Sequence, residues 1–236
     1  MLTIYGLYRS RASRNIWLAK EIGLPFRIVP VVQHYRLPDH TAPDAPLNTR
    51  SAEFLKINPN GRIPAADDGG LVLFESLAIN LCMARKYGGT LGPADVAEDA
   101  QMAMWSLWAA NGAELHTVEV LYHRVENPHG ECHPAKAQAA IEALRAPFAV
   151  LDAALARTGF VVGGRFTVAD INVSEVLRLA LSAPELFAAA PRLKAWMETC
   201  HARPAFREMV AEREGEALFR PGKRLPHPLA VSKRPA

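Results

Sequence analysis

The chain has 236 residues, 50% apolar and 22% charged, which is the balance of a globular protein large enough to bury a core without disulfides or metals. Its formal net charge of +3 is too small for a dedicated nucleic-acid binder, and its three cysteines never form a Cys-x-x-Cys pair. No apolar run reaches the roughly 18 residues of a membrane span. We therefore expect a cytoplasmic protein with no metal, membrane or nucleic-acid partner.

The charge is distributed unevenly along the chain. Residues 1–87 carry 11 basic and 7 acidic side chains, residues 88–220 carry 12 and 17, and residues 221–236 carry 4 and none. The net charge of +3 therefore combines two basic segments with an acidic segment between them.

The pattern of residues 1–87 predicts a small mixed α/β domain. Ser13 is expected to cap the first helix, Pro30 restricts the second strand to a sheet edge, and Asp67-Asp68-Gly69-Gly70 is a hairpin signal. In chain order we expect a strand at 2–5, a helix at 14–22, a strand at 26–32, a weak helix at 52–57, strands at 62–66 and 71–74, and a helix at 76–87.

Gly- and Pro-containing residues 88–97 are typical of a linker, and residues 98–220 predict an all-helical domain. Thr167 and Asp170 form a capping-box pattern, which indicates a folding element rather than a catalytic acid. Residues 221–236 form a basic tail. Helices are expected near 98–126, 135–157, 167–182, 190–201 and 204–216.

A first candidate site combines the segment at 58–64, Asn-Pro-Asn-Gly-Arg-Ile-Pro, with Glu75-Ser76 at a helix start. A cis bond before Pro64 would leave the backbone of Ile63 free to pair with an extended peptide. The helix N-terminus at Ser76 offers N–H groups to a carboxylate, and Glu75 can accept from an ammonium group. A ligand with peptide bonds, an α-amino group and an α-carboxylate would satisfy all three.

Together, the 58–64 segment, the Phe-Glu-Ser-Leu-Ala-Ile run at 74–79 and Gly-Arg-Phe-Thr-Val-Ala-Asp-Ile at 164–171 resemble the cytosolic glutathione transferase family of the bacterial type. The resemblance covers roughly residues 1–210. It implies a thioredoxin-like N-terminal domain followed by an all-helical domain. It also implies a homodimer that uses glutathione as cosubstrate with a small hydrophobic electrophile.

The resemblance also implies roles for single residues. Ile63, with Pro64, would bind the cysteinyl backbone of glutathione, Glu75 and Ser76 would bind its γ-glutamyl end, and Arg62 would contact a carboxylate. Without the Pro64 motif, Glu75-Ser76 would be an ordinary helix start.

A second candidate site is the loop at residues 6–14, which carries two hydroxyl donors for the glutathione sulfur. Ser10 matches the serine-type classes of the family, and Tyr8 matches the spacing of the tyrosine-type classes. Tyr5 is better explained as a strand residue. No cysteine lies in the loop, so the cysteine-type classes fit poorly. Arg9, Arg11 and Arg14 would place three positive charges at its mouth.

The helical domain supplies Trp105 and Trp108, which share a helix face and are candidates for the electrophile pocket. His123, His129 and His133 lack metal-ligand spacing and are expected in a solvated loop. The predicted function is thiolate stabilisation for attack on a hydrophobic electrophile. The alternatives are a non-catalytic binding or regulatory relative, and a glutathione-dependent isomerase, dehalogenase or peroxidase.

Overall fold

The computed structural model describes residues 1–216, so the predicted tail at 221–236 lies outside the described residues. The N-terminal half contains a four-stranded sheet of order β2-β1-β3-β4, in which β1 pairs parallel with β2 and antiparallel with β3. This is the thioredoxin-like arrangement that the sequence predicts. The strands are β1 (Leu2–Tyr5), β2 (Phe26–Val29), β3 (Ala65–Asp68) and β4 (Leu71–Phe74).

The second and third strands differ from their predicted bounds at prolines. β2 is an edge strand, as predicted, but it ends at Val29 because Pro30 has no N–H for the ladder. β3 runs from Ala65, after Pro64, to Asp68, whereas the sequence predicts a strand from Arg62 to Ala66. The hairpin turn is therefore the two residues Gly69 and Gly70, which both have positive φ.

Helices complete both halves. The predicted helix at 98–126 is two helices separated by a π turn at Ala109–Ala113, and the short helix α8 was not predicted. Four helices of the second half begin with proline, which is favoured at the first helical position. The helices are α1 (Ala12–Glu21), α2 (Ala52–Leu55), α3 (Ser76–Tyr87), α4 (Val96–Trp108), α5 (Glu114–Arg124), α6 (Pro134–Thr158), α7 (Val168–Leu177), α8 (Pro184–Ala188), α9 (Pro191–His201) and α10 (Pro204–Gly215).

The helix α7 is buried along its whole length, and Asp170 fixes its start. The predicted capping box is confirmed, because Asp170 accepts from the Thr167 N–H at 2.8 Å. The same carboxylate accepts from the Val161 N–H at 3.0 Å and the Trp196 Nε1–H at 2.8 Å. Burial raises its pKa, while these donors oppose the rise. Asp170 therefore joins three segments of the helical domain.

A chain of amide hydrogen bonds joins the two halves of the protein. Asn15 donates to the Asn80 side chain at 2.7 Å, Asn80 donates to Asn172 at 2.8 Å, and Asn172 donates to the Ser106 hydroxyl at 2.9 Å. All four residues are buried. These bonds hold α1 and α3 against α7 and α4, and they set the position of the α1 N-terminus relative to the helical half. Between residues 1 and 216, no helix is both long and apolar enough to cross a bilayer.

Candidate active site

Gly6 directly follows β1, and two of the predicted site residues, Ser10 and Ile63, lie against it. A Cβ atom at Gly6 would lie 2.8 Å from the Ala12 Cβ, so only glycine allows the loop to approach α1 this closely. The same position is 3.6 Å from the Ser10 Oγ and 3.8 Å from the Ile63 Cβ. Ser10 and Ile63, which are 53 positions apart in the sequence, therefore lie against the same glycine.

The Ser10 hydroxyl is held by backbone groups on both sides. It donates to the Leu7 carbonyl at 2.7 Å and accepts from the Ala12 N–H at 3.1 Å. Ser10 therefore satisfies a free N–H at the start of α1, the task that the sequence assigned to Ser13. Ser13 lies inside the first turn instead, where it is buried and donates to Glu175 at 2.7 Å.

The segment around Ile63 presents free backbone, and the Ile63–Pro64 bond is cis. The buried Asn58 side chain donates to the Arg62 carbonyl at 2.7 Å and so holds the turn that precedes Ile63. Within residues 1–216, neither the N–H nor the C=O of Ile63 has a backbone partner. The Arg62 side chain is exposed, Ile63 is half-buried and Pro64 is buried.

Glu75 and Ser76 lie at the N-terminus of α3 and differ in environment. Glu75 is exposed and has a φ of 71°, a conformation that non-glycine residues rarely adopt. Ser76 is buried, and its hydroxyl accepts from the Arg14 guanidinium at 3.0 Å. Because a guanidinium only donates, the Ser76 hydroxyl hydrogen remains available for an acceptor.

Arg14 and Glu114 form a buried ion pair next to Ser76. The Arg14 side chain is 2% exposed and bonds both Glu114 oxygens, at 2.8 and 3.2 Å, while Arg11 binds the same carboxylate. Burial raises the pKa of Glu114, but Arg14 and Arg11 outweigh it and hold the pKa at about 2. Glu114 thus offsets one of the three positive charges expected at the mouth of the loop.

Tyr8 and Arg9 face α10, the last helix of the described residues. The Tyr8 hydroxyl lies close to the Glu212 carboxylate, and burial together with that carboxylate raises the pKa of Tyr8. The backbone N–H groups of Tyr8 and Arg9 each donate to a Glu216 oxygen at 2.9 Å. The structure therefore brings Ser10 to Ile63 and turns Tyr8 toward α10.

The indoles of Trp105 and Trp108 form an edge-to-face pair on α4, with centroids 5.1 Å apart, half-buried against the core. A second aromatic group lies close to Arg11 of the loop. The ring of Tyr35, which follows β2 and is 40% exposed, is 4.5 Å from His129, and His129 is 5.8 Å from Tyr122 of α5.

Two of the three histidines lie in the solvated loop that the sequence predicts: His129 and His133 are exposed between α5 and α6, whereas His123 is not part of this loop. His123 is buried on α5, where its Nε2 lies 3.2 Å from Glu119, and its Nδ1 accepts from the His133 N–H at 3.2 Å. In the described part of the chain, no group of three or more His, Cys, Asp or Glu side chains could hold a metal ion.

Comparison with known proteins agrees with this architecture. The family profile described as the N-terminal domain of glutathione S-transferase matches residues 9–86, and the profile of its C-terminal domain matches residues 117–204. Glutathione S-transferase 3 of Zea mays is 35% identical over 219 residues, covering 89% of this chain and 93% of the relative. The chain belongs to the glutathione S-transferase family.

Two solved structures of glutathione transferases extend this result. One, described as glutathione S-transferase III in apo form, is 34% identical, with a TM-score of 0.74 and coverage of 94% of this chain and 99% of the other. The other is a theta-class enzyme from Xanthomonas axonopodis pv. citri with glutathione bound. It is 27% identical, with a TM-score of 0.71 and coverage of 89% and 96%. The protein described here is thus a glutathione transferase, with an N-terminal and a C-terminal domain of the types found in its relatives.

Two polar contacts of this transferase's site were missed from the sequence. Arg14 was counted as one of three positive charges at the mouth of the loop, and nothing near Glu114 marks it as the partner of Arg14 because the two lie 100 positions apart. Asn58 was included in its motif without a role. Its signal was present, because an asparagine in a turn commonly bonds the backbone two residues on, and Asn58 accepts from the Asn60 N–H at 3.1 Å.

Proposed function

We propose that this transferase binds glutathione along the edge formed by Ile63 and the α3 N-terminus. The unpaired backbone of Ile63 pairs with the cysteinyl residue as an added strand would. The Ser76 hydroxyl, whose acceptor side is occupied by Arg14, donates to the γ-glutamyl carboxylate together with the first N–H groups of α3. Exposed Glu75 accepts from the γ-glutamyl ammonium group, and exposed Arg62 pairs with a carboxylate.

The backbone of Glu75 supports a binding role. An ordinary helix start has its N-cap residue in the extended region, whereas Glu75 has φ 71° and ψ 105°. Such a conformation costs about 1–3 kcal/mol and concentrates at ligand clamps. A residue whose only role is to start the helix does not require this strained backbone conformation.

The contact between Gly6, Ser10 and Ile63 is the observation on which the catalytic proposal depends. A cysteinyl residue paired with Ile63 has its sulfur next to the Ser10 hydroxyl, since both residues lie against Gly6. Ser10 then turns its hydrogen from the Leu7 carbonyl to the sulfur and stabilises the thiolate, with help from the α1 N-terminus. Tyr8 is the weaker candidate because its hydroxyl lies close to Glu212.

The thiolate attacks a hydrophobic electrophile held against the helical domain. The protein contributes thiolate stabilisation and proximity, and glutathione is the nucleophile. Trp105 and Trp108 remain the predicted pocket, and the group of Tyr35, Tyr122 and His129 offers a further aromatic surface close to Arg11. We propose conjugation as the reaction, because the relatives are named transferases.

We also propose a homodimer. The edge strand β4 exposes Val72 and Phe74, and α4 exposes Met104 and Leu107, so each half of the chain has apolar side chains on its surface. Exposed apolar residues at a sheet edge are typical of an interface. The net positive first domain and the net negative second domain suit pairing of unlike domains from two copies.

The test is the pKa of the thiol of bound glutathione, measured by thiolate absorbance against pH. A thiol pKa of about 8.5 must fall by about two units for most of the thiol to ionise at neutral pH. Ser10→Ala is expected to reverse about one to two units of that decrease, with little change in glutathione affinity, whereas the control Tyr8→Phe leaves the pKa unchanged. An unchanged pKa in Ser10→Ala together with a raised pKa in Tyr8→Phe would assign the role to Tyr8.

Turnover of the wild type with chloronitrobenzenes, isothiocyanates and hydroperoxides separates the possible reactions. Conjugation predicts turnover of the first two classes. Turnover of hydroperoxides alone would indicate a peroxidase, and no turnover with tight glutathione binding would indicate a binding protein.

A further inference from the structure

The end of α10 is bonded to the active-site loop by a carboxylate. Both oxygens of Glu216 accept from backbone N–H groups, one from Tyr8 and one from Arg9, at 2.9 Å each. The Arg9 side chain returns a bond to the same helix, because its Nε donates to the Arg213 carbonyl at 3.2 Å. More than 200 residues separate Glu216 from the loop in the sequence.

The Tyr8 N–H belongs to the same peptide unit as the Leu7 carbonyl, and this carbonyl is the group to which Ser10 donates at 2.7 Å. In a trans peptide the N–H and C=O point to opposite edges of one plane. Glu216 therefore holds one edge of the Leu7–Tyr8 peptide while the Ser10 hydroxyl is bonded to the other edge. Rotation of this peptide would break both bonds.

We propose that Glu216 is a positioning residue of the reaction: by binding the N–H groups of Tyr8 and Arg9, its carboxylate fixes the backbone that leads into Ser10. The Ser10 Oγ therefore stays next to the glutathione sulfur after its hydrogen has turned from the Leu7 carbonyl to that sulfur. This inference depends on the role proposed above for Ser10. Charge-assisted bonds to N–H groups are stronger than neutral ones, so a carboxylate suits this position better than an amide or a water molecule. The Arg9 backbone N–H gives the carboxylate its second bond and fixes its orientation.

A purely structural role for Glu216 predicts something different. If it only fastened α10 to the rest of the protein, its loss would lower stability and leave the chemistry of the bound thiol unchanged. A positioning role predicts a change in the thiol pKa that disappears when Ser10 is absent. The two roles therefore separate in a double-mutant cycle.

The experiment measures the thiol pKa of bound glutathione in the full-length wild type, Glu216→Gln, Ser10→Ala and the double variant. Glu214→Gln is the matched control, because Glu214 is exposed on the same helix end and the charge change is identical. Glu216→Gln is expected to raise the pKa by about half a unit to one unit, which lowers the ratio of thiolate to thiol about three- to tenfold at any given pH. Glutathione affinity is expected to stay within about twofold, and the double variant is expected to equal Ser10→Ala.

Each other outcome overturns the proposal. If Ser10→Ala raises the pKa but Glu216→Gln does not, Glu216 has no positioning role and the role of Ser10 stands. If the two effects add in the double variant, Glu216 does not act through Ser10. If Ser10→Ala has no effect, the proposed role of Ser10 fails and the positioning role fails with it. Glu216→Asp, which keeps the charge but shortens the reach, serves as a second variant should Glu216→Gln fold poorly, and the same rise is expected.

Discussion

Replacing Arg14 by methionine removes a buried guanidinium and keeps most of its aliphatic stem. Arg14 is 2% exposed, and its partner Glu114 is 14% exposed, so little water can replace the lost bonds. The decrease in the pKa of Glu114 from 4.5 to about 2 corresponds to about 3 kcal/mol of stability at neutral pH, shared between Arg14 and Arg11. Because Arg14 is the more buried of the two, we expect Arg14→Met to cost about 2 kcal/mol or more.

The pH dependence follows from the direction of the shift in Glu114. A carboxyl whose folded pKa is lowered contributes stability that is fully present above its unfolded pKa of about 4.5 and is lost as the pH falls toward about 2. The difference in unfolding free energy between wild type and Arg14→Met should therefore be constant from about pH 7 to 5 and shrink below about pH 4.5.

Urea unfolding at several pH values measures this difference. Arg11→Met is the matched control, because Arg11 bonds the same carboxylate but is 47% exposed, and its loss should cost less than about 1 kcal/mol. The KM for glutathione should also rise in Arg14→Met, since the Ser76 hydroxyl loses the donor that orients it. Equal and small costs for the two variants, with no pH dependence, would refute this reasoning.

Three further predictions concern separate parts of the protein. Glu75→Gly should leave the unfolding free energy unchanged or raise it by about 1 kcal/mol, because glycine tolerates a φ of 71°. The affinity for glutathione, measured by calorimetry, should fall about tenfold, and an unchanged affinity would contradict the binding role of Glu75. Asp170→Ala should cost about 4 kcal/mol or more by chemical unfolding, because four buried donors lose their acceptor. Thr167→Ala should cost about 1 kcal/mol, and similar costs for the two variants would place the stabilisation in the cap alone. Phe74→Ser should shift sedimentation toward the monomer, and an unchanged sedimentation coefficient would exclude β4 from the interface.

Much of the fold could be predicted because local rules agree with it. The helix at Ser76–Tyr87 has its predicted bounds, and the capping box of Thr167 and Asp170 forms as its spacing predicts. Proline explains the edge position of β2, the early end of β2 and the late start of β3. Pro30 placed β2 at the sheet edge, whereas the late start of β3 after Pro64 was not foreseen.

The site was predictable only in part. The residues proposed for glutathione came from motifs that are continuous in sequence, and family profiles match the segments that contain them. The partners of those residues came from elsewhere in the chain. Glu114 has no local pattern that identifies it, and the burial of His123 depends on packing that the spacing of three histidines does not reveal.

The sequence by itself predicted the order of helices and strands, because periodicity, capping and turn residues act over a few consecutive positions. Its continuous motifs carried the resemblance that implied the family. Only the tertiary structure decided which polar groups meet. The basic first segment illustrates the difference: the sequence counts Arg14 as one more positive charge, but folding buries it against Glu114 and Ser76. An ion pair across 100 positions and a carboxylate clamp across more than 200 exist only after the two halves pack, since burial and distance set the strength of both.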